Sequence, residues 1–284
     1  FTGLEPDQIK ALAEADRPFA DLRLARPWVI TLFPTPAFAE LEGMALDDYA
    51  AFIVGASTTD PRPLLEAEQI IEPVMAEGSE MIVVTEHPED GRELTLKLDI
   101  SLGRPVMSYG LRNFPDGEIF TSPDASATEG EIFVDLPITY GGNDIHGIYL
   151  KFEGGRIVDY RASEGHEHLA AIIETDDGSH RLGEVALGMN PGLDRVLKHP
   201  LFVEKVGGTL HIAIGASYED CYVEDPGSDE GRERIEELVK MGAINRSAQH
   251  VDIVTDFRPG GSGRTVVVDG VELVPENGLW VVSG

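Results

Sequence analysis

The stretch Gly147-Ile-Tyr-Leu-Lys-Phe-Glu-Gly-Gly-Arg-Ile-Val-Asp-Tyr160 decides the architecture. Two runs of branched and aromatic residues flank Glu153-Gly154-Gly155, and a Gly-Gly pair between such runs marks a tight hairpin, because its turn needs the left-handed backbone that glycine adopts readily. Working outward, short and partly alternating runs recur at 81–85, 94–100 and 131–136. They return at 263–268 and 271–274, where Asp269-Gly270 is a second hairpin signal. Helical patterns interrupt them at 164–174, 192–197 and 229–241. From Ser79 onward the sequence predicts a strand-rich α+β fold.

The first sixty residues differ in kind. A helical pattern over 6–15 precedes the apolar run Trp28-Val-Ile-Thr-Leu-Phe33, which stops at Pro34 and reads as a strand. Helices are expected at 37–42 and 47–54, the second with Leu46, Tyr49 and Phe52 at helical spacing. The string Ser57-Thr-Thr-Asp-Pro-Arg-Pro63 has no periodicity and marks a boundary before a helix over 64–76. Two units are expected: 1–60, the remainder of an N-terminal α/β domain that a start at Phe1 suggests is truncated, and 61–284, which holds the candidate site.

The 284-residue chain is 42% hydrophobic and 26% charged, enough to bury a sizeable core. Its 22 basic residues face 51 acidic ones, for a formal net charge of −29, and no segment gathers the basic ones. Nucleic-acid and membrane partners are therefore disfavoured, since both call for basic patches. Lys is scarce beside the acids, which fits a halophilic protein whose surrounding salt screens carboxylate repulsion. Cys221 is the single cysteine, so neither an intrachain disulfide nor a four-cysteine zinc site can form. No run approaches the roughly 18 apolar residues of a membrane span, and no leader pattern is visible, so a cytoplasmic protein is expected.

Eight histidines make isolated candidates cheap. His166 and His168 stand two apart at a helix start and point to different faces, while His87, His146, His180 and His199 sit in turn-like surroundings. His250 and Asp252 differ: on a strand they project from one face, either toward a shared ligand or as the polar side of a half-buried strand. His211 lies in the branched apolar run Gly208-Thr-Leu-His-Ile-Ala-Ile-Gly215 and alone reads as a satisfied core histidine. Glu184, in Leu182-Gly-Glu-Val-Ala-Leu-Gly188, is a carboxylate that is costly to bury unpaired. Glu118 is delivered by a loop straight into a strand. Two His, one Asp and two Glu beside apolar elements suit one or two divalent ions, and the two glutamates beyond a His-His-Asp trio argue for two.

Four ordered segments carry a resemblance: Asn113-x-Pro-x-Gly-Glu118-x-Phe-x-x-Pro123, Leu182-Gly-Glu184-x-Ala-Leu-Gly-x-Asn190, His211-Ile-Ala-x-Gly-x-x-Tyr218 and Asn245-x-Ser-x-x-His250-x-Asp252. Together they resemble the metalloaminopeptidases typified by aminopeptidase T and aminopeptidase S. The resemblance implies that Glu118, Glu184, His211, His250 and Asp252 bind two divalent ions, Zn, Co or Mn, and that Tyr218 lies in the active site. It implies a hydrolase acting on the free N-terminus of short peptides through a metal-activated water. Glu118 or Glu184 would handle the water's proton and Tyr218 would donate to the oxyanion. A homodimer is implied as well. One departure is Gly91-Arg-Glu-Leu94, where family members carry Gly-Thr-Asp-Leu. The same scaffold also resembles an Fe(II)-dependent ring-cleaving dioxygenase of the 2,5-dihydroxypyridine type, which would use His211, His250 and Asp252 alone. A scaffold with a vestigial metal site is the non-enzymatic alternative.

Overall fold

The computed structural model describes residues 26–258 and 263–284, the backbone alone at 200, together with positions 8, 11, 12, 15, 16, 18, 19, 22 and 23. Most of the helix expected over 6–15 lies outside the described residues. The described order is β1 (Ile30–Thr31), α1 (Pro36–Leu41), α2 (Leu46–Ser57), α3 (Arg62–Glu77), β2 (Glu80–Glu86), β3 (Glu93–Asp99), β4 (Val106–Ser108), β5 (Asn113–Phe114) and β6 (Glu118–Thr121). It continues with β7 (Glu129–Val134), β8 (Ile138–Tyr140), β9 (Asn143–Glu153), β10 (Arg156–Glu164), α4 (His166–Ile173), β11 (Leu182–Gly188), α5 (Pro200–Val203) and β12 (Thr209–Gly215). It closes with α6 (Asp229–Met241), β13 (His250–Asp256), β14 (Thr265–Val268), β15 (Val271–Glu276) and β16 (Leu279–Val282). The fold is α+β, and no described helix is long and apolar enough to cross a membrane.

Local turn chemistry builds the larger sheet. Gly154 and Gly155 both take positive φ, +56° and +76°, and close the β9–β10 hairpin. Asp269 and Gly270 do the same between β14 and β15. The strands run β10-β9-β7-β3-β2-β14-β15-β16, with β8 paired to β9. The smaller sheet has five antiparallel strands in the order β13-β12-β11-β6-β4. Met81, Val83, Leu96, Leu98, Ile132, Ile148 and Leu150 of the first sheet share one core with Ile119, Val185, Leu187, Leu210, Ile212, Ile214 and Ile253 of the second. Each of these side chains is wholly buried, and burying one is worth roughly 1.5–3 kcal/mol.

Alternation along β6, β11, β12 and β13 sends the intervening residues to the opposite face of the five-stranded sheet. Glu184 pairs with Ala213, and Ala213 with Asp252; Ala186 pairs with His211; Gly188 pairs with Glu118; Gly215 pairs with His250. Directly paired residues share a face, so five potential ligands converge on the side away from the core. Leu182 and Glu184 would ordinarily point the same way. A bulge between them, where Leu182 pairs with Ile214 and Glu184 with Ala213, keeps Leu182 in the core and turns Glu184 outward. Gly183 makes the bulge possible, because a Cβ there would lie 2.2 Å from the Ala216 carbonyl oxygen.

Three expectations change. The helix over 192–197 is absent. The Asn190 side chain accepts from the Gly192 amide at 2.8 Å and donates to the Asp116 carbonyl at 2.6 Å, giving the chain a local alternative to helix. The segment instead sends Leu193 and Leu197 into a second core with Ala39, Tyr49, Ile53, Ala56, Phe202 and Val206. The strand over 28–33 shortens to Ile30–Thr31, which pairs in parallel with β5. A further strand, β16, follows an Asn277-Gly278 turn with both residues at positive φ.

Gly183→Ala is expected to force the backbone apart, lower stability by about 2 kcal/mol or more, and displace Glu184. Thermal unfolding together with metal titration checks this; normal stability and normal binding in the variant would contradict the bulge argument.

Candidate metal centre

Glu184 stands at the middle of the cluster. Its Oε1 is 3.1 Å from His211 Nε2, and its Oε2 is 3.4 Å from His250 Nε2. Glu118 Oε2 lies 3.5 Å from the same His211 nitrogen, and Asp252 Oδ1 lies 3.3 Å from His250 Nε2. His250 Nδ1 is 2.7 Å from the Ala216 carbonyl oxygen; a donated N–H there fixes the tautomer and aims Nε2 at the cluster. The Tyr218 ring, 39% exposed, sits at the mouth with its centroid 4.6 Å from that of His250 and 6.0 Å from that of Phe120. All six sequence-predicted residues therefore meet at one place. The remaining histidines lie elsewhere: His199 packs between Phe38 and Phe202, His166 stacks on Tyr160, and His87 faces Asp90. His146, His168 and His180 lie near Glu164, Glu167 and Glu174 respectively.

The structure adds residues that sequence reasoning missed. Lys205 is fully buried, with its ammonium 3.0 Å from Glu118 Oε1 and 2.5 Å from Glu204 Oε1. Glu204 also lies near enough to Asp252 for the two charges to interact. Glu68 of α3 is completely buried near Asp116 and Glu118, and neither of its oxygens has a well-formed hydrogen bond. Signals for both existed. Glu204 and Lys205 interrupt an apolar stretch just before Val206-Gly-Gly-Thr-Leu-His211, and Glu68 falls on the buried helical stripe of Leu64, Ile71 and Met75.

Charge dominates the chemistry here. Burial raises the Glu118 carboxyl despite the pull of Lys205 and His211, and pushes Glu68 up to about 9 and Glu204 up to about 8. Burial also works against ionised Glu184 and Asp252. The histidines outweigh it in both cases, by hydrogen bonds to Glu184 and by the charge of His250 beside Asp252, so both stay below the usual carboxylate range. His211 rises to about 9 against its own burial, through Glu184 and Glu118, and His250 is raised further. At Tyr218 the His250 charge pulls downward, but burial and the nearby carboxylates prevail and keep the phenol protonated.

Two groups of three residues each offer ligand atoms within 4.8 Å of one another: Glu118, Glu184 and His211, and Glu184, His250 and Asp252. Glu184 belongs to both. Glu118 Oε2 and Asp252 Oδ1, which belong to different groups, are buried without a hydrogen bond of good geometry. Acceptor atoms left bare in this way, in a mixed imidazole and carboxylate set, fit a divalent ion.

A buried carboxylate and imidazole cluster on the outer face of a β-sheet is the donor set of a candidate divalent-metal site. Residues 89–270 match the model of the thermophilic metalloprotease (M29) family, and the chain belongs to that family. It is 35% identical over 208 residues to aminopeptidase AmpS of Bacillus subtilis (strain 168), a match covering 67% of this chain and 47% of that protein. The chain spans under half the length of the curated relatives it matches. Wild-type AmpT from Thermus thermophilus matches in structure with a TM-score of 0.74 at 23% identity, over 99% of this chain and 73% of that one. 2,5-Dihydroxypyridine dioxygenase from Pseudomonas putida KT2440 matches with a TM-score of 0.55 at 14% identity, over 95% of this chain and 75% of that one. At such identities the two structures show the fold alone.

The raised groups have a measurable consequence for stability. His211, ordinarily at 6.5, holds its proton to about 9, and Glu204 and Glu68, ordinarily at 4.5, hold theirs to about 8 and about 9. Each binds a proton more tightly folded than unfolded, so its contribution is complete below the ordinary value and is lost as pH rises through the folded one. Chelator-treated protein is therefore expected to lose stability from about pH 4.5, where the two glutamates begin to lose protons in the unfolded chain, up to about pH 9, with His211 contributing above about pH 6.5, by up to about 1.4 kcal/mol per pH unit for each proton involved. A melting temperature that climbs across that window would contradict these assignments.

Proposed function

We propose that the chain carries the catalytic centre of a metal-dependent aminopeptidase that holds two divalent ions and releases N-terminal residues from short peptides. The observation that carries this reading is Glu184, shared by two ligand groups so that one carboxylate serves two neighbouring positions. Family membership and the AmpS likeness support the peptidase part. Glu118 and Glu184 would hold one ion with His211, and Glu184 would hold the other with His250 and Asp252. Bound there, such ions polarise a peptide carbonyl and acidify a bound water.

The chain's own groups divide the remaining work. Both oxygens of Glu184 face imidazoles, whereas Glu118 meets one imidazole through Oε2 and Lys205 through Oε1, so of the two glutamates Glu118 is the one assigned the water's proton. Its raised pKa suits that task. Tyr218, kept protonated at the mouth, supplies an O–H to the developing oxyanion. The carboxylates of the ligands, with Asp116 beside them, suit the ammonium of a free N-terminus. A single-ion dioxygenase reading through His211, His250 and Asp252 has less support, because His211 groups with Glu118 and Glu184 rather than with His250 and Asp252 among the described residues.

Metal content per chain on anaerobically purified protein, paired with release of a chromogenic leucine amide under added Zn, Co or Mn at low and high salt, tests the proposal. Two ions with amide hydrolysis are expected; a single iron without hydrolysis would overturn it in favour of the dioxygenase. Glu118→Gln is expected to keep the fold and lower turnover by roughly a hundredfold or more, as loss of a general base does. Unchanged turnover removes Glu118 from that role. His250→Ala is expected to lose one ion per chain, and full metal content in that variant contradicts a ligand role.

A further inference from the structure

Lys205 touches Glu118 on the side away from the imidazoles: Oε1 faces the ammonium at 3.0 Å, while Oε2 faces His211 at 3.5 Å. Two effects follow. One carboxylate oxygen is taken, so Glu118 offers only Oε2 to the group it forms with Glu184 and His211. A fixed positive charge also stands one carboxylate away from any cation in that group, in an interior where Coulomb repulsion is poorly screened. The other group is shielded differently. Among the described residues no ion pair joins Lys205 to Asp252 or Glu184; its second one goes to Glu204, and His250 is tied back to the Ala216 carbonyl.

We infer that Lys205 is a positioning residue that makes the two cation positions unequal. The position formed by Glu184, His250 and Asp252 fills first; the one formed by Glu118, Glu184 and His211 fills second and more weakly. This rests on the two-ion reading above. The functional consequence is a chain that carries one ion firmly and recruits the other only when the metal is abundant.

Titration of the chelator-treated full chain with Co2+, followed by calorimetry and by the visible bands that report each position's donors, tests the inference. Two steps are expected, separated roughly tenfold or more in Kd, as a neighbouring positive charge implies. Glu118→Gln should abolish the weaker step and leave the tighter one, an assignment that needs no change at Lys205. Loss of the tighter step instead would overturn the proposal.

Lys205→Gln keeps a donor toward Glu118 but removes the charge, and is expected to tighten the weaker step by roughly tenfold or more with the first step little moved. Lys205→Arg, keeping the charge, should keep the gap. An unchanged gap in Lys205→Gln overturns the proposal. A single ion in the parent chain that becomes two in Lys205→Gln supports it. The underlying two-ion reading fails differently: every form of the protein, Lys205→Gln included, would bind at most one Co2+ however much is added.

Discussion

The carboxylate of Glu184 touches both imidazoles of the cluster while lying almost wholly out of water. Burying an unpaired carboxylate is costly, so its surroundings are tightly constrained. His211 and His250 must arrive on adjacent strands at heights that bracket it, which the β11–β12 and β12–β13 registers achieve. Ala213, Ala186, Gly188 and Gly215 must stay small, because they occupy the same face between the larger groups. The bulge at Gly183 must hold, or Glu184 would exchange its histidines for the aliphatic core.

Negative charge is the second theme. Glu68, Asp116, Glu118, Glu184, Glu204 and Asp252 gather around one buried lysine and two imidazoles. The molecule limits the repulsion by keeping Glu68 and Glu204 as neutral acids near neutral pH and by raising both histidines. Protons thus sit on the atoms a divalent ion would take, so metal binding and proton release are coupled, with affinity rising as pH rises.

Much of this was legible in the sequence because the informative features are local. The hairpins at Gly154-Gly155 and Asp269-Gly270 are set by two residues each, and the site residues fall in short ordered motifs. What escaped was set by long-range contacts. β11 and β12 are buried on both faces, so their runs lack the alternation that identifies half-exposed strands. Asn190 defeated the helix at 192–197 by bonding to Asp116, seventy-four residues away. Glu204 and Lys205 reach the cluster because the segment after Asn190 folds over it, and Glu68 because α3 does; the sequence marks all three as charged residues among apolar neighbours, but not where they dock.

The four strands that carry the site also carry the core, divided by the parity of residue position. Replacing alternate residues on the outer face changes donor chemistry while leaving the branched aliphatics that hold the sheets together untouched. The donor set can therefore change without relearning how to fold, in keeping with the fold this chain shares with AmpT and with 2,5-dihydroxypyridine dioxygenase. Insertion or deletion of one residue within β11 or β12 has no such freedom, since it would turn carboxylate and imidazole into the core and isoleucine toward the metal. Over these strands, evolution is free to substitute and forbidden to shift the frame.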